Sequence, residues 1–137
     1  MNKQRNTAKQ TQEQQLKNNL SFQLAKSNAI KIMKFCKELN KRKDPLIYPI
    51  TNQLVRSSSS VFANLAEASA TQSTKDRHFK MSIAKKELTE TIGWLIYLEE
   101  LDYIDSATYK ELIKSYEYLN NIITKSLNTM KTRLNND

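Results

Sequence analysis

The stretch LVRSSSSVFANLAEAS, residues 54–69, decides the fold. Four consecutive serines ordinarily mark a linker, and a disordered spacer is one way to read them. These serines, however, run into an alanine-rich segment with no Gly or Pro to stop a helix. Set at about 100° per residue, Leu54, Ser58, Val61, Phe62, Leu65 and Ser69 fall on one side. Ser58 and Ser69 thus stand where leucines would be expected. Small side chains there let two helix backbones approach closely, and a serine hydroxyl can bond back to a carbonyl of the preceding turn when buried. The pattern predicts a helix from about residue 50 to residue 70.

The opposite face of that helix is unusual. Arg56, Ser60, Asn64 and Glu67 follow one another at i, i+4, i+8 and i+11, with one charge at each end and small or uncharged groups between. A solvated face would carry several Lys and Glu residues. The stripe therefore predicts a second buried surface, lined by groups able to bond one another or a neighbouring subunit.

Outward from this segment the chain reads as helix after helix. It has 137 residues, one Gly and two Pro, a composition that favours long uninterrupted helices and allows one domain. Residues 1–17 are rich in Gln, Asn, Lys and Thr and read as a flexible, mildly basic tail, with a bundle over residues 18–137. A first helix is expected from Asn18 to Lys41. Ser21, Leu24, Asn28, Ile32, Phe35 and Leu39 share one of its faces, while Lys26, Lys34, Lys37 and Lys41 cluster on the other with Ile30. Pro45 and Pro49 then bracket an extended crossover.

The third helix opens at STKD, where Ser73 or Thr74 suits the N-cap and Asp76 the positive end of the dipole. Phe79, Ile83, Trp94, Tyr97 and Leu101 share a face, and Met81, Ala84, Leu88, Leu95 and Leu98 widen it to about half the circumference. So broad an arc implies burial on two sides. Glu87 and Glu90 lie within it, and Arg56 is the evident partner because a guanidinium holds a carboxylate through two parallel bonds; as a buried pair, its rupture would cost ~3–5 kcal/mol. The alternative is that both glutamates sit at the arc's edge and extend to water. Gly93 costs ~1 kcal/mol relative to Ala in a helix and points to a close helix approach beside Trp94.

The last helix follows Asp105 or Ser106 and carries Tyr109, Ile113, Tyr116, Asn120, Ile123, Leu127, Met130 and Leu134 at alternating spacings of three and four. Asn120 on that seam would fix register. Four such helices make an all-α, antiparallel up-and-down four-helix bundle.

Chemistry of the catalytic kind finds little support. His78 is the one histidine and lies in a basic run, the single Cys36 falls at the edge of an apolar face, and no zinc spacing, phosphate loop or Glu-x-x-His pair occurs. The expectation is a protein that is not an enzyme and needs no cofactor or metal. No stretch is long and apolar enough for a membrane span or a signal segment, and a lone cysteine fits the reducing cytoplasm. The net charge of +8 points to an acidic partner.

Two strings carry a family resemblance. QLVRSSSSVFANLAEA, residues 53–68, resembles the signature QLRRAAxSIxxNIAEG, and STKDRHFKMSIAKKELTETIGWLIYLEELDYID, residues 73–105, resembles S.xDFxxKlxIAxKEaxETxYWLxLLxExxxI. Both belong to the small bacterial four-helix-bundle proteins known as 23S rRNA intervening-sequence proteins. The resemblance covers about Tyr48 to Ile104 and carries over Arg56, Ser60, Asn64, Glu67, Ser73, Glu87, Glu90 and Trp94. One departure is Ala68, where the family has glycine, which suggests that the second helix runs further. The resemblance implies a ring-like homo-oligomer, a homopentamer, and kinship with retroelement accessory proteins that bind nucleic acid and a reverse transcriptase.

Two functions compete on these grounds. In the first, an oligomer binds RNA or DNA with low sequence specificity through Lys26, Lys34, Lys37 and Lys41, joined by Arg77, Lys80 and Lys85. Arg56, Ser60, Asn64, Glu67, Glu87 and Glu90 would then form the polar network of the subunit interface. In the second, the protein is an interaction scaffold for a reverse transcriptase or ribosomal component, anchored by Ile30 and Met33.

Overall fold

The computed structural model describes residues 9–136, all helical apart from short connections. Five helices follow one another: α1 (Gln12–Lys17), α2 (Leu20–Asn40), α3 (Tyr48–Ala70), α4 (Thr74–Glu100) and α5 (Ser106–Asn136). Helices α2 to α5 are the four expected ones. Each packs against its neighbour in sequence, and α5 closes back onto α2, which makes an up-and-down four-helix bundle. The serine run lies wholly inside α3.

Local chemistry sets the ends. Asn19 caps α2 by accepting from the Phe22 N–H at 3.0 Å, and Ser73 caps α4 by accepting from the Asp76 N–H at 3.1 Å. Asp105 accepts from the Thr108 N–H at 2.8 Å at the head of α5. The α2–α3 connection differs from expectation: α3 begins at Tyr48, so Pro49 sits in its first turn, where the missing N–H would have no helical partner anyway. The turns before α3 and after α4 are made by Lys43 and Asp102, both in the left-handed region at φ 55° and 61°. At its other end α3 stops at Ala70.

A further helix lies in the stretch expected to be a tail. α1 is held by a capping box, with the Thr11 hydroxyl accepting from the Gln14 N–H and the Gln14 side chain accepting from the Thr11 N–H. The Gln23 side chain donates to the Leu16 carbonyl at 3.3 Å and ties α1 to α2. Residues 1–8 of the expected tail lie outside the described residues.

The core corrects several helical-wheel assignments. On α4 the buried line is Met81, Ala84, Leu88, Thr91, Leu95 and Leu98, whereas Phe79, Tyr97 and Leu101 are exposed. On α2 the line passes through Ala25, Asn28, Ala29, Ile32, Cys36 and Leu39, with Leu24 and Phe35 on its shoulder. Along α5, Leu112 and Leu119 join Tyr116, Ile123 and Met130, and Leu134 is exposed. Asn120 is half-buried, with its Oδ1 unbonded among the described residues. The common cause is size. Alanines and serines take the line of closest approach, and bulkier rings are displaced to the grooves between helices.

On α3 that line includes Leu54, Ser57, Ser58, Val61, Leu65 and Ala68. The Thr91 hydroxyl donates to Ser57 Oγ at 2.8 Å, and the Ser57 hydroxyl donates to the Leu54 carbonyl at 3.3 Å. Both residues are fully buried, so each hydroxyl finds its partner without water. Gly93 plays no comparable part. It faces outward, and a methyl group there would meet nothing within 4 Å, so no close helix approach occurs beside Trp94 within the protomer.

Ser57→Leu should therefore force α3 and α4 apart, costing about 1–3 kcal/mol by overpacking, while the Thr91 hydroxyl keeps the Glu87 carbonyl as its acceptor at 2.9 Å. Urea denaturation checks this; an unchanged midpoint would show that the two backbones have room to spare.

Candidate functional site

Two surfaces hold the residues singled out by sequence: the outer α3–α4 seam and the lysine face of α2. Along the seam, Arg56 reaches from α3 to two carboxylates on α4. It donates to Glu87 at 3.2 Å and to Glu90 through a short ion pair, and its Nε donates to the Gln53 side chain at 3.1 Å. Two turns on, the Asn64 amide donates to the Ser60 carbonyl at 2.9 Å and to Ser60 Oγ at 3.0 Å. At the far end Glu67 meets Lys80 of α4 at 2.7 Å. The stripe makes three ion pairs to α4, two at Arg56 and one at Glu67, and between them only the Asn64–Ser60 bridge lies within α3.

Burial on two sides is not what the protomer shows. The Arg56 side chain is 48 % exposed, Glu90 37 % and Glu67 58 %. Ser60 and Asn64 are half-buried. The glutamates lie at the edge of α4's apolar line, out of the core but within reach of the guanidinium. The cost of breaking this pair in the protomer consequently belongs to the exposed class, about 0.2–1 kcal/mol, and not to the larger buried class.

Electrostatics still tune the seam. The hydrogen bond from Arg56 holds the Glu90 carboxyl below its usual range, against a smaller opposing effect of desolvation, and the Trp94 N–H assists from 3.4 Å. The same bond raises the Arg56 guanidinium further above neutrality. Trp94 in turn meets Tyr97 edge to face, ring centres 6.0 Å apart. Exposed apolar groups continue this side of α4, namely Phe79, Tyr97 and Leu101.

The expected cations do not form one patch. Lys34 and Lys37 are exposed on α2 and Lys26 is half-buried, while Lys41 is bonded to Glu38 at 2.6 Å. Arg77, Lys80 and Lys85 are on α4, which packs with α3 and α5 and faces α2 across the bundle. Lys80 is engaged by Glu67, and Lys85 donates to the Thr124 hydroxyl of α5 at 2.8 Å. Arg77 Nη2 donates to the Thr71 carbonyl at 3.4 Å, while its buried Nε has no partner among the described residues. Sequence reasoning did not single out the cations beside these, Lys86 next to Lys85 and the pair Lys125 and Arg133 next to Arg77. For the α5 pair the signal was a stretch, Tyr118 to Asn136, with no carboxylate at all.

Nucleophilic groups are quiet. Burial pushes the Cys36 thiol up to about 12, and its sulfur lies 4.0 Å from the Thr51 carbonyl. His78 is half-buried at the start of α4. Among the described residues no group of three or more His, Cys, Asp or Glu side chains could hold a metal ion, and no helix is long and apolar enough to cross a membrane.

Residues 17–125, spanning all of the seam and most of the bundle, match the family model of the 23S rRNA-intervening sequence protein. The chain belongs to this family. A similar fold occurs in the crystal structure of a protein of unknown function from the S23 ribosomal protein family of Bacteroides thetaiotaomicron. The two are 28 % identical with a TM-score of 0.74, over 79 % of this chain and 98 % of that one. No curated protein matches the chain.

The sign of the Glu90 shift makes the seam testable. Its carboxyl titrates lower when folded than the ordinary 4.5, so its stabilisation is present above that value and fades as the pH falls through the lower, folded one. Glu90→Gln should lower stability at neutral pH by up to about 1 kcal/mol. The deficit should shrink in acid, as paired urea titrations at the two pH values would reveal; a deficit independent of pH would mean that Glu90 acts through packing alone.

Proposed function

We propose that this protein is a non-catalytic, homo-oligomeric accessory protein of the cytoplasm that binds RNA or DNA through the phosphate backbone. The observation that carries the reading is the α2 face. Lys34 and Lys37 project into solvent beside Lys26, in a chain of net charge +8 that belongs to a family named for an insertion in 23S rRNA. Cations on a helix surface without a reading head for base edges favour affinity driven by counterion release over sequence recognition.

Self-association follows from the seam. Half-exposed ion pairs with Trp94, Tyr97 and Phe79 along the same side of α4 suit coverage by a second copy, which would remove apolar area from water and strengthen the Arg56–Glu90 bond. The family resemblance implies a pentamer, and repetition of a modest cationic face around a ring multiplies its affinity. The second reading, a scaffold for a reverse transcriptase or a ribosomal component, is favoured by Ile30 and Met33, each about half exposed among the lysines of α2.

For assembly, Asn64→Lys places a long cation where the Ser60–Asn64 bridge would meet the neighbouring copy. Multi-angle light scattering should then record a smaller particle, and an unchanged mass would remove the seam from the interface. For binding, titration of a structured RNA at two salt concentrations should show affinity falling steeply with salt. The Lys34→Gln/Lys37→Gln/Lys41→Gln variant should bind more weakly with a shallower slope, whereas a complex held by Ile30 and Met33 would survive those changes. Affinity indifferent to salt would sink the phosphate-backbone reading.

A further inference from the structure

A small cavity between the start of α4 and the end of α5 gathers positive charge. It measures about 320 Å³ and is lined by Arg77 from α4 and by Lys125 and Arg133 from α5. Ser126 and Thr129 add hydroxyl groups, and Met81 and Met130 are its buried apolar members. No acidic residue lines it, and none of the three cations is in an ion pair among the described residues. Asp76, adjacent to Arg77 in sequence, is exposed and outside the lining. By contrast, a cavity at the opposite end of the bundle is lined by Glu38, Glu99, Asp102 and Asp105, with Arg42 alone against them.

We infer that this cavity is an anion site that takes a single phosphate monoester group. The inference is independent of the α2 lysines and of the nucleic-acid reading. Arg77 is its anchor. The side chain is half-buried, its Nη2 donates to the Thr71 carbonyl at 3.4 Å, and its Nε is buried without an acceptor among the described residues. A guanidinium shielded from water and facing no carboxylate is costly, and an anion beside it offsets that cost. The anion need not touch the enclosed Nε, because opposite charges attract across several ångströms in a half-buried site. The bond to Thr71 also limits where the guanidinium can go, which reduces the side-chain entropy lost on binding.

Charge and size select the ligand class. Helix dipoles do not decide the sign here, because the positive end of α4 and the negative end of α5 meet at the same level and offset each other. The side chains decide it, with Arg77, Lys125 and Arg133 opposed by no acid in the lining. A phosphodiester unit has a single negative charge and continues in both directions, whereas a monoester carries about −1.5 to −2 on one compact group. The monoester matches concentrated charge in a space at the small end of the range of about 300–1,000 Å³ usual for ligand cavities. Arg133 can offer two parallel N–H groups to phosphate oxygens, and Lys125 a point charge. Thr129 donates its hydroxyl to the Lys125 carbonyl at 3.0 Å, so Ser126 is the hydroxyl left to reach the ligand. Free phosphate, a mononucleotide and the 5′ end of a strand all present this group.

Isothermal titration of the full-length protein with inorganic phosphate, at an ionic strength fixed by potassium chloride, tests the site. The wild type should bind one phosphate per protomer, and dimethyl phosphate, a diester, more weakly. Lys125→Gln/Arg133→Gln removes two exposed cations and spares Arg77, which bonds the scaffold. It should weaken phosphate binding at least tenfold, roughly the worth of one charged hydrogen bond. Lys110→Gln/Lys114→Gln removes the same charge from exposed positions at the other end of α5 and should leave binding unchanged. An equal loss in both variants, dimethyl phosphate bound as tightly as phosphate, or no phosphate binding by the wild type overturns the site. Paired oligouridylates with a 5′ phosphate and a 5′ hydroxyl then separate the sources. Tighter binding of the phosphorylated strand that vanishes in Lys125→Gln/Arg133→Gln assigns the strand end, whereas equal binding of the two strands beside a positive phosphate titration assigns a small free phosphate. A positive phosphate titration with RNA binding that ignores salt upholds the site and removes the nucleic-acid reading alone.

Discussion

The close approach of α3 and α4 is the constraint from which the other features follow. Ser57 on one helix and Ala84 and Thr91 on the other put small buried side chains on the facing helices, and a hydroxyl pair at 2.8 Å satisfies the polar atoms buried between them. A leucine at any of these positions would push the helices apart. Distance then determines what the outer faces can do. With the backbones this near, an arginine on α3 reaches two carboxylates on α4, and a glutamate one end further on reaches a lysine.

That geometry also explains where the aromatic residues went. A helix packed tightly along a line of small residues has no space for Phe79, Trp94 or Tyr97 on that line. They lie off that line, with Trp94 bonded to Glu90 and Tyr97 edge to face against Trp94. The result is an exterior strip with apolar rings and ion pairs side by side, half in water. Such a strip gains most from being covered by a surface of similar character, because the apolar area leaves water and the ion pairs are less screened.

Charge is distributed with equal consequence. Helices α2 and α4 stand diagonally across the bundle, so the cations they carry belong to different surfaces. The α2 set is a row along one exposed helix. The α4 set is dispersed: Arg77 lines a cavity with Lys125 and Arg133 of α5, Lys80 pairs with Glu67, and Lys85 bonds Thr124.

By itself the amino-acid sequence determined the number and type of the four long helices, their caps to within one residue of Ser73 and Asp105, and the helical state of the serine run, and it named Arg56 as the candidate partner of Glu87 and Glu90. These are local or periodic properties: spacing, capping chemistry and the scarcity of Gly and Pro speak for one helix at a time. The short helix α1 was legible only as the pair Thr11 and Gln14, a signal easily lost in a polar stretch. Which half of each broad apolar arc faces inward was decided by tertiary packing alone, since it depends on the size of residues on the facing helix. So too with the seam: a wheel places Glu67 on a stripe, but only the neighbouring helix decides that it meets Lys80 and remains in water. The meeting of Arg77 with the end of α5 is wholly tertiary. Arg77 and Arg133 are more than fifty positions apart along the chain, and no periodicity within either helix can announce that the two line one cavity.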